Sequence, residues 1–317
     1  MIPYPKIDPV IFRIGPLEPR WYGLMYLLGF LYTYHLLKKF HRWMGLSSPD
    51  KADSILATLV IGLIICARLV YVVFYNWEGT MQGPWWEFLA VWHGGLAFHG
   101  GLLGVVLASI YVARSYKISW LRLTDVLALA TPVGLGLGRI ANFINGELWG
   151  RTTTLPWGMV FPGAGPDPRH PSQLYESFLE GFVLFWILRF VWWKKPRVGV
   201  VSATFLIGYS IFRGLVEFVR EPDIQVGYVL GPFTMGQLLS LAPLIGGFAI
   251  LAYVTKRGEA FDATLAPGEK AGQSRKKAKD KVNPVTNALI AVDLQTPLAD
   301  TDIDAPTPKK KPKKKKK

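Results

Sequence analysis

A guanidinium and three polar side chains sit at the end of an apolar stretch that could lie inside a bilayer. Residues 126–137 are almost wholly apolar, and GRIANFINGELWGR (138–151) then brings Arg139, Asn142, Asn145 and Glu147. An arginine near the middle of a bilayer helix costs about 2.5–3.5 kcal/mol on insertion scales, so it ordinarily faces a polar cavity and marks a functional site. If the segment stays helical, Arg139, Asn142 and Gly146 share one face at i, i+3 and i+7. A guanidinium fork, an amide and bare backbone on one face make an anion site. The competing reading is that Arg139 snorkels to the headgroups while the asparagines cap the helix end.

A second polar stripe, Tyr209, Arg213 and Glu217, recurs at i, i+4 and i+8, with Arg220 one turn beyond. Either Arg213 and Glu217 neutralise each other for structural reasons, or Arg213 joins Arg139 as a second cation suited to a phosphate. His99 opens another apolar segment and is followed by Gly100 and Gly101. At membrane depth it is an acid–base candidate, with a helix-packing hydrogen bond as the alternative. His93 lies six residues earlier, on a different helical face, which argues against a paired metal site. No HExxH and no acidic cluster suited to Mg²⁺ or Zn²⁺ occurs, so neither metal nor cofactor is expected. Arg68 is a weaker candidate because its neighbours are apolar. Trp21 and Tyr22 are interfacial belt residues or lipid contacts. Cys66 reads as a small buried hydrophobe, and one cysteine builds no disulfide framework.

The elements that would hold these groups are long apolar runs. Half of the 317 residues are hydrophobic and 14% are aromatic. Seven runs, at 22–37, 55–75, 96–113, 126–144, 174–193, 198–219 and 235–254, come near the length needed to cross about 30 Å of hydrocarbon. The spacing predicts an all-α, polytopic membrane bundle of seven transmembrane helices. No cleavable signal peptide is apparent before the first run. Lys38, Lys39, Arg42 and Lys51 follow the first run, Arg114, Lys117 and Arg122 the third, Lys194, Lys195 and Arg197 the fifth, and Lys256 and Arg257 the last. The positive-inside rule then puts the N-terminus outside and the C-terminus in the cytoplasm, although Lys6, Arg13 and Arg20 nearly match the bases after the first run. Trp77, Trp85, Trp86 and Trp92 read as anchors around an outer loop. Residues 152–171, rich in Pro and Gly, read as a further outer loop, ordered or mobile.

Two parts are expected: a membrane-embedded catalytic domain over 1–257 and a disordered, lysine-rich cytoplasmic tail over 258–317. Sixteen of the 36 Lys and Arg residues lie from Lys256 onward, and the chain ends in PKKKPKKKKK. Anionic headgroups are the nearest partner for that run, ahead of nucleic acid, which is not expected to be a partner.

Three blocks, the 138–151 segment, HGGLAFHGG (93–101) and RHPSQLYE (169–176), resemble prolipoprotein diacylglyceryl transferases. The resemblance runs over about residues 8–256, from DPVIF (8–12) to the last apolar run. It implies an enzyme of the bacterial inner (cytoplasmic) membrane that moves the diacylglyceryl group of phosphatidylglycerol to the lipobox cysteine of a prolipoprotein signal peptide. A thioether forms and glycerol phosphate leaves. Carried over position by position, it points to Tyr22, His99, Arg139, Asn142, Asn145, Glu147, Gly150, Tyr209, Arg213 and Glu217, with His99, Arg139 and Arg213 as the catalytic set. Where relatives often have His before Trp-Tyr, this chain has Arg20. The lysine-rich tail lies outside the family pattern.

These residue types suit such a reaction. The substrate supplies the nucleophile, so the enzyme needs a base for the thiol and fixed positive charge for the departing phosphate. Attack at carbon requires no bridging metal. The rival reading is a lipid flippase or anion transporter, since intramembrane Arg and Glu also mark transport paths. Against it, no inverted pair of half-sequences is visible and the polar groups crowd the outer half.

Overall fold

The structure, a computed structural model, describes residues 2–221, 228–230 and 233–267. Helices form on all seven apolar runs: α1 Trp21–Lys39, α2 Lys51–Tyr75, α3 Phe98–Ser115, α4 Trp120–Asn145, α5 over 172–193, α6 Val200–Glu217 and α7 Met235–Arg257. The fifth is composite, with α-helical Ser172–Glu176 and Leu184–Trp193 on either side of a π-helical segment, Ser177–Val183. Besides short helical turns, the described residues include one antiparallel pair, β1 Tyr228–Leu230 with β2 Phe233–Thr234. Four helices, Lys51–Tyr75, Trp120–Asn145, Val200–Glu217 and Gln237–Arg257, are long and apolar enough to cross a membrane.

The outer faces fit that environment. Ile61, Ile65, Leu69 and Val73 form an exposed stripe at i+4 spacing along α2, and Phe178, Phe182, Trp186 and Phe190 form another along α5. Continuous apolar surface of this kind marks contact with lipid or with other protein. Between helices, burial of apolar area drives little once lipid is the alternative, so close packing of small residues takes over. Glycines bring α2 and α3 together: a Cβ on Gly104 would fall 2.1 Å from the Gly62 carbonyl oxygen. Gly136 of α4 and Gly181 of α5 meet the same way, with an added Cβ on Gly181 only 2.7 Å from the Gly136 Cα.

Helix α4 is the hub, packed against α1, α3, α5 and α6. Near its N-terminus the buried Asp125 caps a different helix. Its carboxylate accepts the backbone N–H of Gly199 (2.7 Å) and of Ser202 (2.8 Å) and the Ser202 hydroxyl (2.7 Å). The orphan amides that start α6 are thereby paired with a negative charge, which the helix dipole favours. Arg122, one turn earlier, donates to the Trp43 carbonyl (2.8 Å) and pairs with Glu259.

That pairing moves a boundary. The stretch just after Arg257, assigned to the tail from sequence, packs on the helical body. Phe261 packs against Trp43 (tilted) and Trp192 (edge-on), at ring separations of 4.7 and 5.2 Å, and the Val198 N–H donates to the Glu259 carbonyl. The body therefore runs past Arg257; the rest of the expected tail lies outside the described residues.

At the other end of α4 a smaller apolar cluster of Phe143, Met159 and Phe161 folds the 146–171 loop onto the helix. Tyr4 joins it and donates its hydroxyl to the Phe143 carbonyl at 2.6 Å. This loop is ordered, tied by backbone bridges from Arg169 to Thr152 and Met159.

Candidate active site

Helix α4 ends where Gly146 turns left-handed, at φ 68°, and its N–H returns to the Asn142 and Phe143 carbonyls. Glycine enters that conformation without the Cβ penalty other residues meet. Gly146 is therefore the helix cap rather than the third member of an Arg139–Asn142 face, because the helix does not continue to it. The two asparagines do not cap the helix with their side chains. Asn142 Nδ2 and Asn145 Nδ2 donate to the same oxygen, Glu147 Oε1, at 2.9 and 3.1 Å. Tyr22 comes from α1 against Asn142 and shares a 3.4 Å hydroxyl contact with Tyr26. Sequence-distant Tyr22 thus joins Asn142, Asn145 and Glu147.

The turn that follows is pinned from α5. Gln173 Nε2 donates to the Glu147 carbonyl at 2.6 Å and Ser172 Oγ to the Leu148 carbonyl at 3.0 Å. Gly150 is locked between two backbones: its N–H donates to the His170 carbonyl (2.9 Å), and a Cβ would meet the Val219 carbonyl oxygen at 2.5 Å. Its demand for glycine is met by protein packing.

One turn back from Asn142, Arg139 meets a carboxylate that the site residues read from sequence did not include. Arg139 Nε lies 2.6 Å from Glu176 Oε2, and Arg213 Nη1 lies 3.8 Å from the other oxygen, Glu176 Oε1. Arg213 Nη2 also contacts Glu217 Oε2 at 2.9 Å, the i, i+4 pair seen in the sequence. Glu176 is fully buried, and neither of its oxygens receives a well-aligned hydrogen bond among the described residues. The contacts are thus mainly coulombic. Glu180, one turn further along the π-helical segment, is also fully buried and faces the same arginines; Tyr209 of α6 borders the group. The signal for both carboxylates was present as two acids inside an apolar run.

The remaining candidates lie on other elements. His99 is the second residue of α3, at the α2–α3 pair, and is exposed, whereas the guanidinium–carboxylate cluster is built from α4, α5 and α6. Arg68 plays a structural part. It is buried, and its guanidinium donates to the Phe88 carbonyl (3.2 Å), the Gly94 carbonyl (2.7 Å) and the Glu87 carbonyl, holding the loop between α2 and α3. His170 stands in a largely apolar groove lined by Leu155, Trp157, Tyr175, Leu179 and Val216. Its Nδ1 is 3.3 Å from the Tyr175 hydroxyl, which also accepts the Trp157 indole N–H at 2.8 Å. Partial burial lowers the His170 pKa from its ordinary value, because desolvation disfavours the imidazolium.

A helical bundle with apolar outer stripes and buried arginines held among carboxylates defines a membrane protein with an internal charged site. The family model for prolipoprotein diacylglyceryl transferase matches residues 9–253. A Geobacter sulfurreducens protein named phosphatidylglycerol–prolipoprotein diacylglyceryl transferase is 53% identical over 256 residues, covering 80% of this chain and 98% of the relative. Proteins of the same name from Vibrio vulnificus and Actinobacillus pleuropneumoniae are 48% and 49% identical, covering 82% of this chain and 96% and 98% of their own lengths. The chain belongs to the prolipoprotein diacylglyceryl transferase family.

Proposed function

We propose that the chain is a membrane-embedded transferase that moves the diacylglyceryl group of phosphatidylglycerol onto the lipobox cysteine thiol of a prolipoprotein. Family membership supports this over a flippase or anion transporter. The observation that carries the chemistry is the approach of two guanidinia, Arg139 and Arg213, to the two oxygens of one carboxylate. Two cations spaced for a two-oxygen anion, in a setting shielded from water, suit a phosphate that gains charge as its carbon–oxygen bond breaks.

In this mechanism His99 takes the thiol proton and the thiolate attacks the glycerol carbon that bears the phosphate. Sulfur–carbon bond formation accompanies carbon–oxygen cleavage, and the electron pair leaves on a phosphate oxygen held by Arg139 and Arg213. Tyr209 and Glu217 border and orient that cation pair. Glu147, with one oxygen held by Asn142 and Asn145, offers the other to a hydroxyl of the lipid headgroup, and Tyr22 closes this side. Gly150 keeps the turn close enough for Glu147 to reach.

Seven helices crossing the bilayer, the N-terminus outside and the C-terminus in the cytoplasm, would place this site toward the outer face of the bacterial inner membrane. The basic loops of the sequence support that sidedness. The test is mass spectrometry of a lipobox peptide incubated with purified protein and phosphatidylglycerol. A diacylglyceryl thioether on the cysteine is the expected product; lipid that only changes leaflet, with the peptide unmodified, would sink the reading.

A further inference from the structure

Glu180 is a buried carboxyl for which the mechanism above has no use. Its side chain is fully buried, and neither oxygen has a hydrogen-bond partner among the described residues. The charged groups around it are Glu176 on its own helix, Arg139 on α4, Arg213 on α6 and Arg220 just beyond α6, with Tyr209 of α6 alongside and Glu217 paired to Arg213. Two of these three arginines are already engaged by carboxylates, Arg139 by Glu176 and Arg213 by Glu176 and Glu217. An ionised Glu180 would be a third carboxylate, shut away from solvent and one turn from another acid. A carboxyl so placed is a candidate to carry a proton to a neighbouring anion.

A second observation points the same way. Glu180 is the central residue of the π-helical segment Ser177–Val183. Wide turns of this kind break the regular hydrogen-bond ladder, and they occur frequently at functional sites. Here the segment is pressed against α4 through Gly181 and Gly136, with Ser177 Oγ donating to the Gly136 carbonyl at 3.0 Å. The segment that carries the carboxyl is thereby fixed against α4.

We propose that Glu180 is the proton donor to the departing phosphate. As the thiolate forms its bond to the glycerol carbon, the carbon–oxygen bond breaks and its electron pair passes to the phosphate oxygen. Glu180 gives its proton to that phosphate and becomes a carboxylate, while the thiol proton resides on the base. Glycerol phosphate leaves as the monoanion, and its release is aided by the new negative charge beside the arginines. The proton on the base then returns to Glu180, so each turnover balances. This rests on the transferase reading, and the experiment separates the two.

Single-turnover transfer from phosphatidylglycerol to a lipobox peptide is measured across pH for the wild-type protein, Glu180→Gln and Glu180→Asp. Absence of thioether with the wild-type protein would overturn the transferase reading itself. Given wild-type transfer, the neutral amide should leave KM for the lipid nearly unchanged and slow the chemical step about a hundredfold, within the usual range for proton-transfer catalysis. It should also abolish the fall in rate at high pH, and Asp, which keeps an acid, should restore that fall at a lower rate. An unchanged rate and profile in Glu180→Gln would overturn the proposal. So would a lowered KM with normal turnover, the mark of a resting carboxylate whose removal strengthens phosphate binding. Should Gln prevent insertion, infrared spectroscopy reads the wild-type protein: a carboxylic-acid band that shifts when phosphatidylglycerol is added supports the proposal, and its absence overturns it.

Discussion

Glu176 Oε2 lies 2.6 Å from Arg139 Nε while the opposite oxygen of the same carboxylate lies 3.8 Å from Arg213 Nη1. One acid from α5 therefore links a cation of α4 to a cation of α6. The unequal distances leave the Arg213 contact with Glu176 as the looser one, while Arg213 keeps its 2.9 Å pair with Glu217.

Replacement of Arg139 by Lys tests whether charge alone suffices. Lysine keeps the charge and loses the planar fork, with its Nε contact to Glu176. Transfer should fall about a hundredfold, the lower end of what a lost charge-stabilising donor costs, with normal insertion. Turnover close to wild type in Arg139→Lys would exclude a role that depends on guanidinium geometry.

The proposed role of His99 as the base is tested by substitution. Glutamine keeps some hydrogen bonding and cannot take a proton. His99→Gln should still bind phosphatidylglycerol and transfer about a hundredfold more slowly. Rates are compared from about pH 5 to pH 9, because the substrate thiol itself titrates near ~8.5 and also raises the rate with pH. A variant with the wild-type rate and profile would reduce His99 to a packing residue.

Two truncations separate the packed segment from the lysine-rich end. Ending the chain after Arg257 removes Glu259 from Arg122 and Phe261 from Trp43 and Trp192. Loss of one buried aromatic anchor costs about 3–5 kcal/mol when it is fully enclosed, and less here because Phe261 is only partly buried. The midpoint of thermal unfolding in detergent should drop by several degrees. Ending the chain after Pro267 keeps those contacts and should leave both the midpoint and the transfer rate unchanged. Equal stability of the two truncated proteins would show that the Phe261 contacts contribute nothing.

His170 gives a prediction in pH. Its folded-state pKa lies below the ordinary histidine value, near ~6.5. Above that value histidine is neutral in both states and the fold loses nothing. As pH falls through it, the unfolded chain takes up the proton first, so stability is lost until the folded pKa is also passed. His170→Asn should therefore flatten the decline in unfolding midpoint between about pH 7 and pH 5. An identical slope in variant and wild type would remove His170 as a source of acid sensitivity.

Much of this protein is legible in one dimension, because hydrophobicity and helical spacing are local properties. The seven apolar runs locate the seven helices to within a few residues, and the i, i+4 spacing alone pairs Arg213 with Glu217. The cost of burying a guanidinium singles out Arg139 from the residue pattern alone. The partners that satisfy it are another matter, since they depend on how three helices pack. Glu176 reaches both arginines because glycine-to-glycine contact draws α5 onto α4, and the π-helical segment follows directly. Asp125 caps a helix 74 residues away, and Phe261 docks on tryptophans from two other elements. Gly146 shows the limit of periodicity: the pattern permits another turn of helix, and a left-handed backbone ends it. Sequence pattern decides which groups must escape lipid; tertiary packing decides which of them meet, because the interactions that compensate a buried charge act across space.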